Sequence, residues 1–423
     1  MCCRPHPVAF LLASFALATA LAKCQEVNLS DLVSEALQRS PEILAAQKKY
    51  EAAKQRPSQA GSLPDPTLSM GWNSNGNPLP GAGLGTDATS NIGFSVTQEI
   101  PAPGKQRLRS NIAEKEAAAQ FQELQSVELS VISRVKQAFF KLQHSDVARD
   151  VLERDRDVLK KLLSVTEIRY SAGQASQQDV FKAQIQLSLL EVKILQLDRD
   201  RRLRGAELNS LLNRPPEAPI GKPGEPHIAP LTKTLAEIQA AALQNSPLRM
   251  KDQAMTERAE LEVNLARKDY YPDYALSGGY YNQGGLPPMF SFRADVKIPV
   301  YFRSKQRAAL TEQTQVLSEA RHSFQATAQS LNFRIADDYS MAETSLQLIN
   351  LYQKTVIPQA KLAVDSALAS YETGTIDFLS VLNNNAAALE YEMDYHEQML
   401  NYHQALSRLE EASGLGLIEE DHR

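Results

Sequence analysis

Chemistry in a protein needs nucleophiles, acids or metal ligands at fixed spacings, and a few groups of residues in this chain invite that search. His396, Met399 and His403 recur at intervals of three and four, so a helix carries all of them on one face. Imidazole and thioether donors suit soft and borderline metals. The set has no acidic or cysteine partner at ligand spacing, and its histidines fall on an apolar seam described below. Packing is therefore the expected role, and no metal site is expected. Arg199, Arg201, Arg202 and Arg204 form a basic cluster that a solvated helix face explains better than a docking patch. Gly104-Lys105 reads as a strand-to-helix turn and lacks the rest of a phosphate loop. The sequence contains no nucleophile elbow, HExxH or dinucleotide fingerprint. Neither an enzyme nor a cofactor is expected, so any energy source must belong to a partner.

The elements that carry these residues begin with an export signal. Arg4 precedes an apolar run from Val8 to Ala22, which ends in the small-x-small triplet Ala20-Leu21-Ala22. Residues 1–22 are read as a signal peptide, since the run is shorter than the ~20 residues that span a bilayer. Cys2 and Cys3 leave with it, which excludes an intrachain disulfide. Cys24 is a candidate lipidated N-terminus, although Lys23 stands where a small residue is expected. The net charge of −5 argues against nucleic acid as a partner.

The mature chain is written twice. Ala36–Pro41 (ALQRSP) returns as Ala242–Pro247 (ALQNSP), and Pro64-Asp65 as Pro272-Asp273. Ile100-Pro101 returns as Ile298-Pro299, and Lys105-Gln106-Arg107 as Lys305-Gln306-Arg307. Tyr170 to Gly173 returns as Tyr371 to Gly374. The expected divisions are a first repeat over 23–213, a Pro-rich connector over 214–233, a second repeat over 234–413 and a tail over 414–423. Each repeat predicts a helix (30–60, 234–270), two short strands, a very long helix (105–170, 305–371), a glycine turn and a return helix (177–213, 377–413). Heptad seams mark the helices: Leu124, Val127, Val131, Val135, Ala138 and Leu142 on the first long one, and Val180, Ala183, Leu187, Leu190, Ile194 and Leu197 on its return. The second return helix has Leu382, Ala386, Leu389, Met393, His396, Leu400 and His403. A long helix of about 66 residues spans ~100 Å, which the first and return helices match when stacked end to end. Two such hairpins make a rod. Pro358 should bend the second long helix or mark a break in it.

The strands look membrane-facing. Phe290, Phe292, Ala294, Val296 and Ile298 alternate with Ser291, Arg293, Asp295 and Lys297, so one face is wholly apolar. Leu68, Met70 and Trp72, and Ile92, Phe94 and Val96, repeat the pattern. Four strands cannot close a barrel, and an open edge is not tolerated in lipid. Three chains would supply twelve strands and leave room for a lumen, where two would supply only eight.

Several stretches carry a resemblance. They are QEIPAPGKQR (Gln98–Arg107), RYSAGQASQQDV (Arg169–Val180), LLNRPP (Leu211–Pro216), VIPQA (Val356–Ala360) and YETGTIDFLSVLNNN (Tyr371–Asn385). Together with the duplication they resemble the TolC family of outer-membrane efflux proteins over nearly the whole mature chain. The resemblance implies a mainly α fold with a small β part: duplicated hairpins forming a periplasmic α-barrel, and four strands per chain in a trimeric membrane β-barrel. It implies a homotrimer in the outer membrane with a long periplasmic extension. It also implies docking to a periplasmic adaptor and an inner-membrane pump, and its wording is closest to members paired with resistance–nodulation–division pumps for heavy metals. The alternatives kept open are the periplasmic adaptor itself, a secreted coiled coil, and the outer-membrane component of a type I secretion system. By the same resemblance Gly173 and Gly374 occupy the periplasmic tip where the tunnel closes. Asp179 and Tyr371 match a clamping carboxylate and its tyrosine, while Ile376 stands where the clamp has an arginine. Ser380 and Asn383 replace two constricting carboxylates, so a less negative entrance is expected unless Asp377 compensates.

Overall fold

The computed structural model describes residues 27–76, 78–228 and 230–418. The expected signal peptide, Cys24 and the end of the tail lie outside the described residues. The first copy runs α1 (Leu29–Arg39), α2 (Pro41–Ala53), α3 (Arg56–Gly61), β1 (Thr67–Asn73), β2 (Asn91–Ile100), α4 (Lys105–Ser171) and α5 (Gln177–Leu211). The second runs α6 (Leu235–Asn245), α7 (Pro247–Lys268), β3 (Asp273–Gln283), β4 (Leu286–Lys297), α8 (Arg307–Leu351), α9 (Ile357–Glu372) and α10 (Phe378–Ser413).

The single opening helix expected in each copy is broken. Ser40 and Ser246 are extended, and Pro41 and Pro247 start the next helix. Proline has no N–H to donate and forces the residue before it out of the helical region. The break was written in the repeated Ser-Pro pair itself. Pro358 acts more gently. A π-helical turn over Tyr352–Val356 precedes it, and Pro358 then falls in the first turn of α9, where a missing N–H costs nothing. α4 is unbroken for 67 residues, or ~100 Å.

Three apolar clusters hold the rod. One packs α1 (Leu32, Val33) on the middle of α4 (Val135, Phe139), with Leu208 of α5. Its counterpart packs Ile238 of α6 on Ile335 of α8 and Tyr402 and Leu406 of α10. The third joins the copies, with Leu159 and Leu162 of α4, Leu190 of α5, Tyr371 of α9 and Val381 of α10. The α4 and α5 seams face these clusters as expected. The α10 seam departs from its pattern: Ala386 is exposed and Asn385 is buried instead, donating to Asp155 at 2.7 Å.

The four strands form one antiparallel sheet in the order β1-β2-β3-β4. Pairing Met70 with Phe94, Phe94 with Tyr280 and Tyr280 with Phe290 lines up a row of large apolar side chains on one face. Ser69, Ser95, Gly279 and Ser291 form the matching row on the other. The sheet meets the rod at a charged joint. The nearly buried Lys105 ammonium lies 3.0 Å from Asp269 and 2.9 Å from Asp273, which also accepts the Ala102 N–H at 2.8 Å. This ties the start of α4 in copy one to the start of β3 in copy two.

Candidate functional site

The far end of the rod consists of two helical reversals. At the first, Gly173 takes φ +71° and the Gln174 N–H returns to the Arg169 carbonyl at 2.8 Å. At the second, Gly374 takes φ +79° and the Thr375 N–H returns to Ser370 at 2.9 Å. A side chain at positive φ is strained, so glycine is the natural residue at both places.

The return helices are capped by one box written in opposite directions. In copy one the Ser176 hydroxyl accepts the Asp179 N–H at 3.2 Å, and the Asp179 carboxylate accepts the Ser176 N–H at 3.3 Å. In copy two the residues are exchanged. Asp377 is the cap and accepts the Ser380 N–H at 3.3 Å, and the Ser380 hydroxyl also donates to it. That hydroxyl, followed by backbone N–H groups, holds the Asp377 carboxyl below the usual range. Each turn therefore carries a carboxylate at the start of a helix, where the dipole favours it, with Asp179 half-buried and Asp377 exposed. Asn383 is exposed one turn further along α10.

Tyr371 lies behind these caps, 3% exposed. Its hydroxyl meets the Thr166 hydroxyl at 3.3 Å, and its ring meets Phe378 edge-on at 5.9 Å. Within the chain, then, Tyr371 is bonded to Thr166 and Asp179 to Ser176, and the two are not bonded to each other. Ile376 is half-buried against the third apolar cluster. Sequence reasoning overlooked Arg169, the last basic residue of α4. Its guanidinium donates to the Tyr371 carbonyl, approaches the Gln174 carbonyl at 3.4 Å and lies 4.7 Å from the Tyr371 ring centre. Its place immediately before Tyr170 and the glycine turn was the available signal.

The other candidates resolve as packing and surface pairs. Met399 and His403 are buried, and the His403 ring stacks on Phe140 at 4.2 Å. Burial lowers His396 and His403 to about 4. Among the described residues no group of three or more His, Cys, Asp or Glu is placed to hold a metal ion. Arg201 pairs with Asp146, and Arg204 pairs with Glu207 at 3.0 Å. No helix among the described residues is long and apolar enough to cross a membrane.

The geometry has close counterparts. A family model described as outer membrane efflux protein matches residues 32–214 and again residues 239–415. The chain is 22% identical over 432 residues to the outer membrane protein TolC of Vibrio cholerae serotype O1, spanning 95% of each. It is 21% identical over 379 residues to the cobalt-zinc-cadmium resistance protein CzcC of Cupriavidus metallidurans, covering 88% of this chain and 86% of that one. The crystal structure of the outer membrane protein VceC of Vibrio cholerae superimposes with a TM-score of 0.79 at 21% identity, covering 92% of this chain and 97% of that one. These likenesses do not favour the adaptor, coiled-coil or type I secretion readings. With the family's pattern present twice and spanning most of the residues, the chain belongs to the outer membrane efflux protein family.

Proposed function

We propose that three copies of this chain close into one duct, gated at its periplasmic tip and driven by other proteins. Membership of the family makes the chain an outer-membrane efflux channel, a passive conduit and not an enzyme. The observation that carries the trimer is a sheet with one apolar face and two open edges. Phe290 and Phe292 stand more than 70% exposed, and β1 and β4 have no outer neighbours within the described residues. Lipid suits that apolar face but not those edges, so β4 of one copy pairs with β1 of the next, and three copies give twelve strands. The rod supports the same closure. α5 packs chiefly on α4, and Phe181, Ile185, Leu189 and Val192 leave an apolar stripe about half exposed for the next copy to cover.

At the tip, Gly173 and Gly374 form the turns, and Asp179, Tyr371, Ser380 and Asn383 lie where the tunnel narrows. Asp377 supplies one carboxylate where Ser380 and Asn383 replace two, so the compensation at the entrance is partial. An adaptor prises the turns apart, and an inner-membrane pump of the resistance–nodulation–division type supplies the cargo. Similarity to CzcC, a cobalt-zinc-cadmium resistance protein, supports a heavy-metal system. The test is a mass measurement on protein extracted from outer membranes in mild detergent. Three chains per particle are expected, and a monomer refutes the closure. Recovery of the mature protein as a soluble periplasmic species refutes the channel reading as a whole.

A further inference from the structure

We infer that Arg169 is the clasp that holds the two hairpin turns of each chain together and keeps the duct closed, an inference that rests on the reading of the tip as a gate. α4 and α9 both end at the tip, so two negative helix ends lie side by side. A cation between them relieves the repulsion. Arg169 is that cation: it belongs to the last turn of α4, yet its guanidinium donates to the Tyr371 carbonyl at the end of α9. The same group covers the Tyr371 ring at 4.7 Å and reaches back toward Gln174 in its own turn at 3.4 Å. One side chain thus grips both reversals. Its anchor is firm, because Tyr371 is buried and fixed by Thr166 and Phe378.

The opposing turn is shaped to receive it. A Cβ on Gly374 would lie 3.1 Å from Arg169 Nη2, whereas a Cβ on Gly173 would meet nothing within 4 Å. Gly374 is therefore needed both for its positive φ and for the room it leaves. Gly173 is needed for its φ alone. Ile376, which stands where the family's clamp has an arginine, packs against the apolar cluster, so the arginine of the closed tip comes from copy one.

The clasp is tested on the full-length protein in planar lipid bilayers, with the fraction of time in high-conductance states as the readout. Arg169→Ala should raise that fraction about tenfold or more, the factor carried by one charge-assisted hydrogen bond. Arg169→Lys keeps the charge but loses the fork of donors, and should fall between wild type and Arg169→Ala. Gly374→Ala and Gly173→Ala impose similar backbone strain, but only the first displaces Arg169, so Gly374→Ala should give the larger rise. Unchanged helical melting and an unchanged oligomer band separate loosening of the tip from misfolding. Wild-type behaviour of Arg169→Ala overturns the clasp, and so does a rise in Gly173→Ala as large as in Gly374→Ala. If wild type and Arg169→Ala both insert but never conduct, the duct reading is overturned, and the clasp falls with it.

Discussion

Replacing Phe292 by arginine is the sharpest test of which face of the sheet meets lipid. Phe292 lies in the middle of β4, paired with Gly278, and is 78% exposed in the single chain. Its ring contributes roughly 2 kcal/mol when taken out of water. An arginine at the centre of a barrel's lipid face costs about 2–4 kcal/mol more. The sum is roughly 5 kcal/mol per chain, and a closed trimer incurs it three times over. The total, about 15 kcal/mol, matches the top of the ~5–15 kcal/mol range by which folded domains are usually stable. Ser291→Arg is the matched control: it adds the same charge one residue earlier, on the polar face beside Ser95 and Gly279. The assay is assembly into lipid vesicles, followed by heating and electrophoresis to read the surviving oligomer. Phe292→Arg should abolish the oligomer or lower its melting by tens of degrees, and Ser291→Arg should leave it near wild type. Equal melting of the two variants, or greater damage from Ser291→Arg, would falsify the assignment of the faces.

The remaining expectations concern the rod. Glu410 accepts the Lys136 ammonium at 2.8 Å and the Leu417 and Ile418 N–H groups at 2.6 and 2.7 Å. Glu410→Ala should cost about 3–5 kcal/mol in denaturant unfolding, because the Lys136 ammonium and the Leu417 and Ile418 N–H groups all lose this acceptor. Lys105→Met should destabilise the joint between sheet and rod by about 2 kcal/mol, a figure discounted because Asp269 and Asp273 keep some access to water. His403 has a folded pKa of about 4 against 6.5 when free, so the unfolded chain binds more protons between those values. Stability should be level above pH 6.5, and by pH 5 this group should lower it by roughly 2 kcal/mol, with His396, lowered alike, adding a similar amount. His403→Phe should remove about half of that slope in melting curves, and an unchanged slope would show that the buried His403 imidazole is not one of its sources.

Much of this molecule was legible in its residues because the governing rules are local. Period-two alternation fixed which face of β4 is apolar, since successive side chains on a strand must point oppositely. Helix lengths followed from the rise per residue, and the glycine turns from the one residue that tolerates positive φ. The Ser-Pro breaks were equally local and were simply overlooked. What lay beyond reach was the meeting of distant groups. Asp179 suggests a clamp by its place in a motif, yet its carboxylate is bonded three residues away, to its own helix cap. Arg169 and Tyr371 are 202 positions apart, and Lys105 and Asp273 168 apart. Whether such pairs touch depends on the rotational phase of long helices. An ideal helix drifts ~20° per heptad against a 3.5-residue seam, so the phase at one end cannot be carried to the other by counting. Asn385 is buried where the seam assigned Ala386. Sequence alone determined the parts, their lengths and the polarity of the sheet. Only the packed structure decided which side chains meet at the tip, because their partners are set by the accumulated turn of helices ~100 Å long.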